Sequence, residues 1–195
     1  MSGTDGWVDF HRTPVVGTGR AYIRPITEAN VADPLVAGAI AGRSFLSTGP
    51  ALLFSLDNGA KPGDVTASGE QAYSLTLTST VKLETVEIVV NGQVVQTLPS
   101  IEAGKSESYI GNLILPEGGW VAARAYASEQ RADSWPSMHA RPFAHSSPIW
   151  IKKVGSTQAS ARKAASADLL LGIDAAENQA REAYGERPMP KLYKR

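Results

Sequence analysis

The chain has 195 residues, enough for one well-sized hydrophobic core with an appended element. Lys plus Arg and Asp plus Glu number 19 each, so no net field attracts nucleic acid or an anionic membrane surface. The lack of cysteine excludes disulfide frameworks, thiolate metal sites and cysteine nucleophiles. No apolar run approaches the ~20 residues that span a bilayer, and MSGTDGWVDF lacks the features of a signal peptide. We therefore expect no nucleic-acid partner and no membrane span.

The first part of the chain predicts irregular structure followed by a helix. Glycine and proline interrupt residues 1–27, and only RAYIR, 20–24, alternates in the manner of a strand. TEANVADPLVAGAIAGR then has apolar residues at helical spacing. Because Pro34 belongs in a first turn, the helix begins either at Thr27 or anew near Asp33.

From residue 50 the apolar period changes to two. Seven short runs, separated by Gly, Pro, Asn and Ser, predict strands: ALLFSL, AYSLTLTS, TVEIVVN, QVVQTL, SYIGNLIL, WVAARAYA and PIWIKKV. Within them, Asn91-Gly92 supplies the positive φ angles of a type I′ hairpin turn. The predicted fold is mainly β, an antiparallel immunoglobulin-like sandwich of about seven strands over 49–155. The residues expected to face its core include Leu75, Leu77, Val86, Ile88 and Val90.

The C-terminal segment, 156–195, predicts a helix and a basic tail. STQASARKAASADLLLGIDAAENQAREAYGER is rich in alanine and has apolar residues at steps of three and four. Gly172 lowers the helix propensity in the middle of this segment, so the segment is expected to form either one helix or two helices that meet at Gly172.

No complete catalytic constellation is evident. His139 and His145 are six residues apart in a loop-like stretch, which fixes no zinc geometry. A triad drawn from Ser146 or Ser147 with His139 and Asp133 is disfavoured, because adjacent residues of an extended chain point to opposite faces. A Gly-x-Ser-x-Gly elbow is also lacking, and VVGTGR lacks the Gly-Lys-Ser/Thr ending of a phosphate loop.

Two polar residues of the β region remain candidates for binding. Arg124 lies in the apolar run WVAARAYA, where a charge needs a partner or a ligand. The alternative is an arginine that faces solvent on the outer side of the sheet. His145 directly precedes the final run, where a polar side chain can project from the end of the sheet. The alternative is an ordinary, partly buried histidine.

The stretches AGAIAGRSFLSTGPALLFSLDNGAKPGD, VEIVVNGQVV, GWVAARAYA and FAHSSPIWI occur in an order that resembles one family. It is the carbaryl-hydrolase-type metallohydrolases of the polymerase-and-histidinol-phosphatase (PHP) superfamily. The first stretch is similar to the helix, turn and strand that follow the catalytic domain in that family. The matching residues are Gly42, Arg43, Phe45, Gly49, Pro50, Asn58, Gly59, Pro62, Gly63 and Asp64, then Ala144, His145, Ser146, Pro148 and Trp150.

SGTDGWVDFHRTPVVGTGRAYIR is similar to the end of the PHP catalytic domain. By that resemblance, Asp5 would be the final metal ligand, and Arg20 and Tyr22 would match the Arg-x-Tyr that leads into the next helix. His11 is a further possible ligand, although the family often places its histidine one residue after the aspartate and here the gap is longer. The alternative for His11 is a loop histidine.

The resemblance implies a division of the chain into four parts. Residues 1–27 would be the remnant of a catalytic domain, 28–48 a linker helix and turn, 49–155 an accessory sandwich, and 156–195 a C-terminal helix and tail. The partner of the sandwich would be an N-terminal catalytic domain of the same protein. The sequence leaves the compartment open, and a soluble parent could be periplasmic or secreted.

In the parent, the resemblance implies a divalent metal, zinc or manganese, that activates water against an ester, carbamate or phosphoester-like bond of a small molecule. The sandwich would lend His145 or Arg124 to the rim of the pocket. Asp5 alone lacks the coordination number that fixes metal geometry. We therefore expect this chain by itself to hold no metal and to catalyse nothing.

The alternative function is a stand-alone immunoglobulin-like module that binds carbohydrate or protein. Trp120, Trp135 and Trp150 would then form a stacking platform. Trp120 and Trp150 lie in apolar runs, where core packing is the default, and only Trp135 is predicted in a loop.

Overall fold

The structure is a computed structural model that describes residues 17–27, 33–128 and 141–184. The chain divides into two compact units, Met1–Thr157 and Gln158–Arg195. The predictions for Asp5, His11, Asp133, Trp135 and His139 lie outside the described residues.

The first unit is built mainly of β-strands. In chain order its described strands and helix are β1 (Arg20–Ile23), α1 (Pro34–Ile40), β2 (Ser44–Ser47), β3 (Ala51–Leu56), β4 (Val65–Thr66), β5 (Gly69–Ser79), β6 (Thr85–Val90), β7 (Gln93–Leu98), β8 (Lys105–Leu115), β9 (Gly119–Tyr126), β10 (Phe143–Ser146) and β11 (Ile149–Ile151). All seven predicted runs are strands. The described strands number eleven rather than seven, because the short segments β1, β2, β4 and β10 also pair into a sheet.

The strands form two sheets with the order of an immunoglobulin-like sandwich. The smaller sheet runs β3-β5-β8, and all its pairs are antiparallel. In the larger sheet β9 is central, with β6 and then β7 on one side and β10 and β11 in succession on the other. Of the seven predicted strands, the first, second and fifth (β3, β5 and β8) form one sheet, and the third, sixth and seventh (β6, β9 and β11) belong to the other. This division between two facing sheets is that of the immunoglobulin-like architecture. The predicted fold class is confirmed.

Alternating apolar residues of the two sheets form one core. The five residues predicted to face inward are all buried, with exposures of 0 to 8%. They meet Val121, Ala123 and Ala125 of β9 and Ile149 and Ile151 of β11. Because side chains alternate along a strand, the intervening residues of β9 lie on the outer face of the larger sheet.

The β6–β7 hairpin has the predicted turn. Asn91 and Gly92 have φ angles of 51° and 84°. The Asn91 side chain also reaches β9: its Nδ2 donates to the carbonyl oxygen of Gly118 (3.2 Å), and its Oδ1 accepts from the amide of Trp120 (2.9 Å). One residue therefore sets the hairpin and ties it to the central strand.

The helix α1 begins at the second of the two predicted positions. Asp33 caps it, because Oδ1 accepts from the amides of Leu35 and Val36 at 3.0 Å each, and Pro34 lies in the first turn. The alternative start at Thr27 involves residues 28–32, which lie outside the described residues.

The stretch 42–56 carries the chain from one sheet to the other. It contains β2 of the larger sheet, a turn, and β3 of the smaller sheet. Ser47 fixes the turn, since its Oγ donates to the carbonyl oxygen of Pro50 (2.5 Å) and accepts from the amide of Gly49 (2.8 Å). As β1 pairs with β2, the larger sheet includes strands on both sides of the boundary predicted at residue 49.

The second unit contains α2 (Ala159–Tyr184), one helix that continues through Gly172 without dividing. Arg181 donates to the Glu177 carboxylate one turn earlier (Nε–Oε1 3.1 Å). Its large apolar residues Leu169, Leu170, Leu171 and Ile173 are exposed. Within the described ranges, neither helix is long and apolar enough to cross a membrane.

Candidate functional site

The two predicted rim residues come together on the outer face of the larger sheet. His145 of β10 and Arg124 of β9 are directly paired across the two strands. Both line a pocket of about 360 Å³, together with Tyr126, Arg141 and Phe143. They are neighbours because β10 pairs with the second half of β9, which sequence spacing alone does not reveal.

Arg124 faces outward and is paired. Its Nε donates to Glu87 Oε2 at 2.6 Å, and its guanidinium lies 5.8 Å from the centre of the Tyr126 ring. Arg141 approaches the same ring at 5.2 Å. Sequence reasoning missed Glu87. The signal that could have identified it is that Glu87 is the only charged residue in the strand TVEIVV.

His145 is half-buried and lies close to a carbonyl group. Its Nδ1 is 2.6 Å from the carbonyl oxygen of Ser146. Burial lowers the pKa of His145, and the Arg124 charge lowers it further, while the hydrogen bond to Ser146 opposes both. A neutral imidazole that donates from Nδ1 leaves Nε2 as a hydrogen-bond acceptor.

We expect His145 to make the stability of the sandwich depend on pH. Because its pKa is lower in the folded state than in the unfolded chain, the unfolded chain binds the extra proton first. Stability is therefore complete above pH ~6.5 and falls as the pH falls through the folded pKa. In urea unfolding between pH 5 and 8, His145→Gln is expected to flatten this slope. An unchanged slope in the variant would show that His145 is not its source.

The hydroxyl groups near the site are held in structural hydrogen bonds. Ser146 is buried, and its Oγ accepts from the amide of Ala123 (3.0 Å). Ser147 Oγ bonds to Ser44 Oγ (2.9 Å). The His145 ring contacts the carbonyl of Ser146, not its hydroxyl. This arrangement provides no serine nucleophile activated by His145.

The core placement expected for two tryptophans is wrong. Trp120 and Trp150 are directly opposite each other on β9 and β11, and both are partly exposed. The reason is the parity of the strands: Val121, Ile149 and Ile151 fill the core, so the tryptophans project from the outer face.

A second cluster joins α1 to the sandwich, and we call it the seam: Arg24, Ala41, Arg43, Gly63 and Asp64. Asp64 Oδ2 accepts from Arg24 Nη2 (3.0 Å) and from the amide of Lys61 (3.0 Å), and Asp64 Oδ1 is 3.7 Å from Arg43 Nε. A Cβ atom on Gly63 would lie 2.6 Å from the carbonyl oxygen of Ala41. Residues about twenty positions apart in sequence thus meet in one tight contact.

No candidate metal centre is found among residues 17–27, 33–128 and 141–184. These ranges contain no group of three or more His, Asp or Glu side chains placed to hold an ion. The predicted ligands Asp5 and His11 lie outside them, so the metal site stays a prediction.

No family profile matches the chain, and no curated protein matches it. Among solved structures, the chain is similar to the solution NMR structure of the CARDB domain of a Pyrococcus furiosus protein. The identity is 12%, the TM-score is 0.32, and the match covers 53% of this chain and 95% of that domain. The fold class rests on the strand order and core described above.

Proposed function

We propose that the chain is the C-terminal accessory region of a PHP-type metal-dependent hydrolase, and that its sandwich supports a catalytic domain rather than performing the reaction. The observation that carries the proposal is the seam. Arg43, Gly63 and Asp64 belong to the stretch that resembles the family, and they contact one another between α1 and the sandwich. The resemblance thus falls on residues with a common structural task.

The seam gives α1 a fixed position on the sandwich. Arg24 precedes α1 in the sequence and Arg43 follows it, and both pair with the carboxylate of Asp64. In addition, the amide of Gly63 donates to the carbonyl oxygen of Pro148, just before β11. A charged group with several partners is costly to separate from them when partly buried. A helix held in this way transmits the position of a preceding domain to the sandwich.

One face of α1 is open for contact with such a domain. Leu35, Val36 and Ile40 are all more than half exposed, and Ile40 is 81% exposed. Neighbouring exposed apolar side chains of this kind mark interaction surfaces. In the proposed parent, the metal and its activated water belong to the catalytic domain, while His145 and Arg124 of this chain supply an acceptor and a cation at the rim.

The docking role of α1 is tested by Ile40→Glu in this chain and in the proposed longer protein. We expect the thermal midpoint of the longer protein to fall by several degrees, since a charge then replaces a packed side chain, while the midpoint of this chain stays within a degree. Ile110→Glu is the matched control, because Ile110 is also 81% exposed but lies on β8. Equal effects of the two variants on the longer protein would contradict docking through α1.

A stand-alone binding module is the second candidate, and the position of Trp120 and Trp150 favours it. Two opposed, partly exposed indoles on a sheet face suit the stacking of sugar rings. If this function holds, neutral oligosaccharides such as cellohexaose will quench tryptophan fluorescence saturably, and Trp150→Ala will abolish the effect. The accessory role predicts no saturable quenching. An upstream reading frame that encodes His-x-His strands would decide for the hydrolase.

A further inference from the structure

A groove of about 520 Å³ runs between the edge strand β1, its neighbour β2 and the edge strand β3. Its walls are largely apolar and aromatic. Tyr22 and Phe45 stack with ring centres 4.6 Å apart and an interplanar angle of 9°, and the edge strand β3 contributes Leu53 and Phe54 to the lining. The volume is within the range of sites for small organic ligands, which are apolar with a few placed polar groups.

The charged groups that line this groove are all cations. Arg24, Arg43 and Lys61 contribute to the lining, and no described lining residue is acidic. The carboxylate of Asp64, which is not among the lining residues, pairs with both arginines. Three positive charges therefore face one negative charge, and Lys61 Nζ has no ion-pair partner within the described ranges.

Arg43 also has an unmet hydrogen-bonding group. Its Nε is buried and lacks a hydrogen-bond partner in the described structure, as the nearest carboxylate oxygen of Asp64 is 3.7 Å away. A buried donor without an acceptor is uncommon in folded proteins, and it shows that Asp64 satisfies the Arg43 guanidinium only in part. An anionic group at the basic end of the groove would supply acceptors for the adjoining cationic side chains.

We infer that this groove binds a small amphipathic carboxylate, with the apolar body against Tyr22, Phe45 and Leu53 and the carboxylate toward Lys61 and the arginines. The apolar walls favour an aliphatic or aromatic body, and the excess of two cations selects the anionic head. Arg24 and Arg43 also belong to the seam, but binding in the groove does not require the accessory role, because all the lining side chains lie within the first unit, Met1–Thr157.

Isothermal titration of the full chain tests the site with three probes: octanoate, 1-octanol and acetate. We expect one equivalent of octanoate to bind, and both other probes to bind at least about tenfold more weakly, since each lacks one of the two interactions. Octanol binding as tight as octanoate would overturn the role of the cations. No saturable octanoate binding below millimolar concentration would overturn the site.

Two matched pairs of variants place the binding in the groove. Leu53→Ser and Lys61→Gln are expected to weaken octanoate binding about fivefold each. Ile110→Ser is the control for Leu53, because both are exposed on the outer face of the smaller sheet, and Lys105→Gln is the control for Lys61. Since all four side chains lie at the surface, the variants should fold. Equal loss in test and control variants would show that the probe binds elsewhere.

Discussion

Gly63→Ala is expected to lower the free energy of unfolding of the sandwich by about 3 kcal/mol. Gly63 has a φ of 91°, a conformation that costs other residues energy. The added Cβ would also lie 2.6 Å from the Ala41 carbonyl oxygen and 2.9 Å from the Arg43 amide nitrogen. Both are backbone atoms, so α1 has to move away from the loop for the methyl group to fit. Urea denaturation followed by tryptophan fluorescence measures the loss.

Gly59→Ala separates the two causes of that loss. Gly59 has a similar φ of 85° in the same loop, but its added Cβ would meet no atom within 4 Å. We expect a loss of only about 1 kcal/mol, the backbone term alone. If the two variants lose equal stability, the close contact of Gly63 with Ala41 and Arg43 contributes nothing to the free energy of unfolding. That result would contradict a fixed position of α1.

Gly119→Ala is expected to destabilise the sandwich by about 4 kcal/mol, the largest effect of an added methyl group among the described glycines. The φ of Gly119 is 106°, and an added Cβ would lie 1.7 Å from Asn91 Oδ1. Asn91 is buried and bonded to Gly118 and Trp120, so it has no room to turn aside without losing both hydrogen bonds. The β6–β7 turn would lose its tie to β9.

The matched control is Gly92→Ala, in the turn itself. Gly92 has a φ of 84° and open space where its Cβ would lie, so about 1 kcal/mol is expected. Thermal unfolding of both variants under identical conditions compares them. A midpoint for Gly119→Ala as high as that for Gly92→Ala would contradict the role assigned to Asn91.

Much of the fold follows from local patterns. Period-two alternation located every long strand, and Asn91-Gly92 specified its turn, because a type I′ turn has a chemical requirement that few sequences meet. Among the short strands, the alternation of RAYIR indicated β1 and the run PIWIKKV contained β11, whereas β2, β4 and β10 escaped detection. β2, SFLS, has four residues and follows a helix, and it is a strand only because β1 and β10 bond to it on either side. That information is tertiary.

The candidate site was predicted in part. His145 and Arg124 were singled out as polar residues in apolar surroundings, and the structure places them side by side. Tyr126 lies two residues after Arg124 on the same face of β9, whereas Glu87 and Arg141 come from other segments that only the strand pairing brings to this site. The tryptophans were misplaced because an apolar run does not state which of its alternating residues faces inward. In β9, the small residues Ala123 and Ala125 fill the core.

The most direct test of the accessory role is a paired measurement of metal content and hydrolysis on this chain and on the proposed longer protein. Purified protein is supplied with Zn²⁺ or Mn²⁺, dialysed, and assayed against p-nitrophenyl acetate and bis-p-nitrophenyl phosphate. The account predicts bound metal and turnover in the longer protein, with this chain no faster than the metal alone. One tightly bound ion per molecule of this chain, together with turnover, would contradict it.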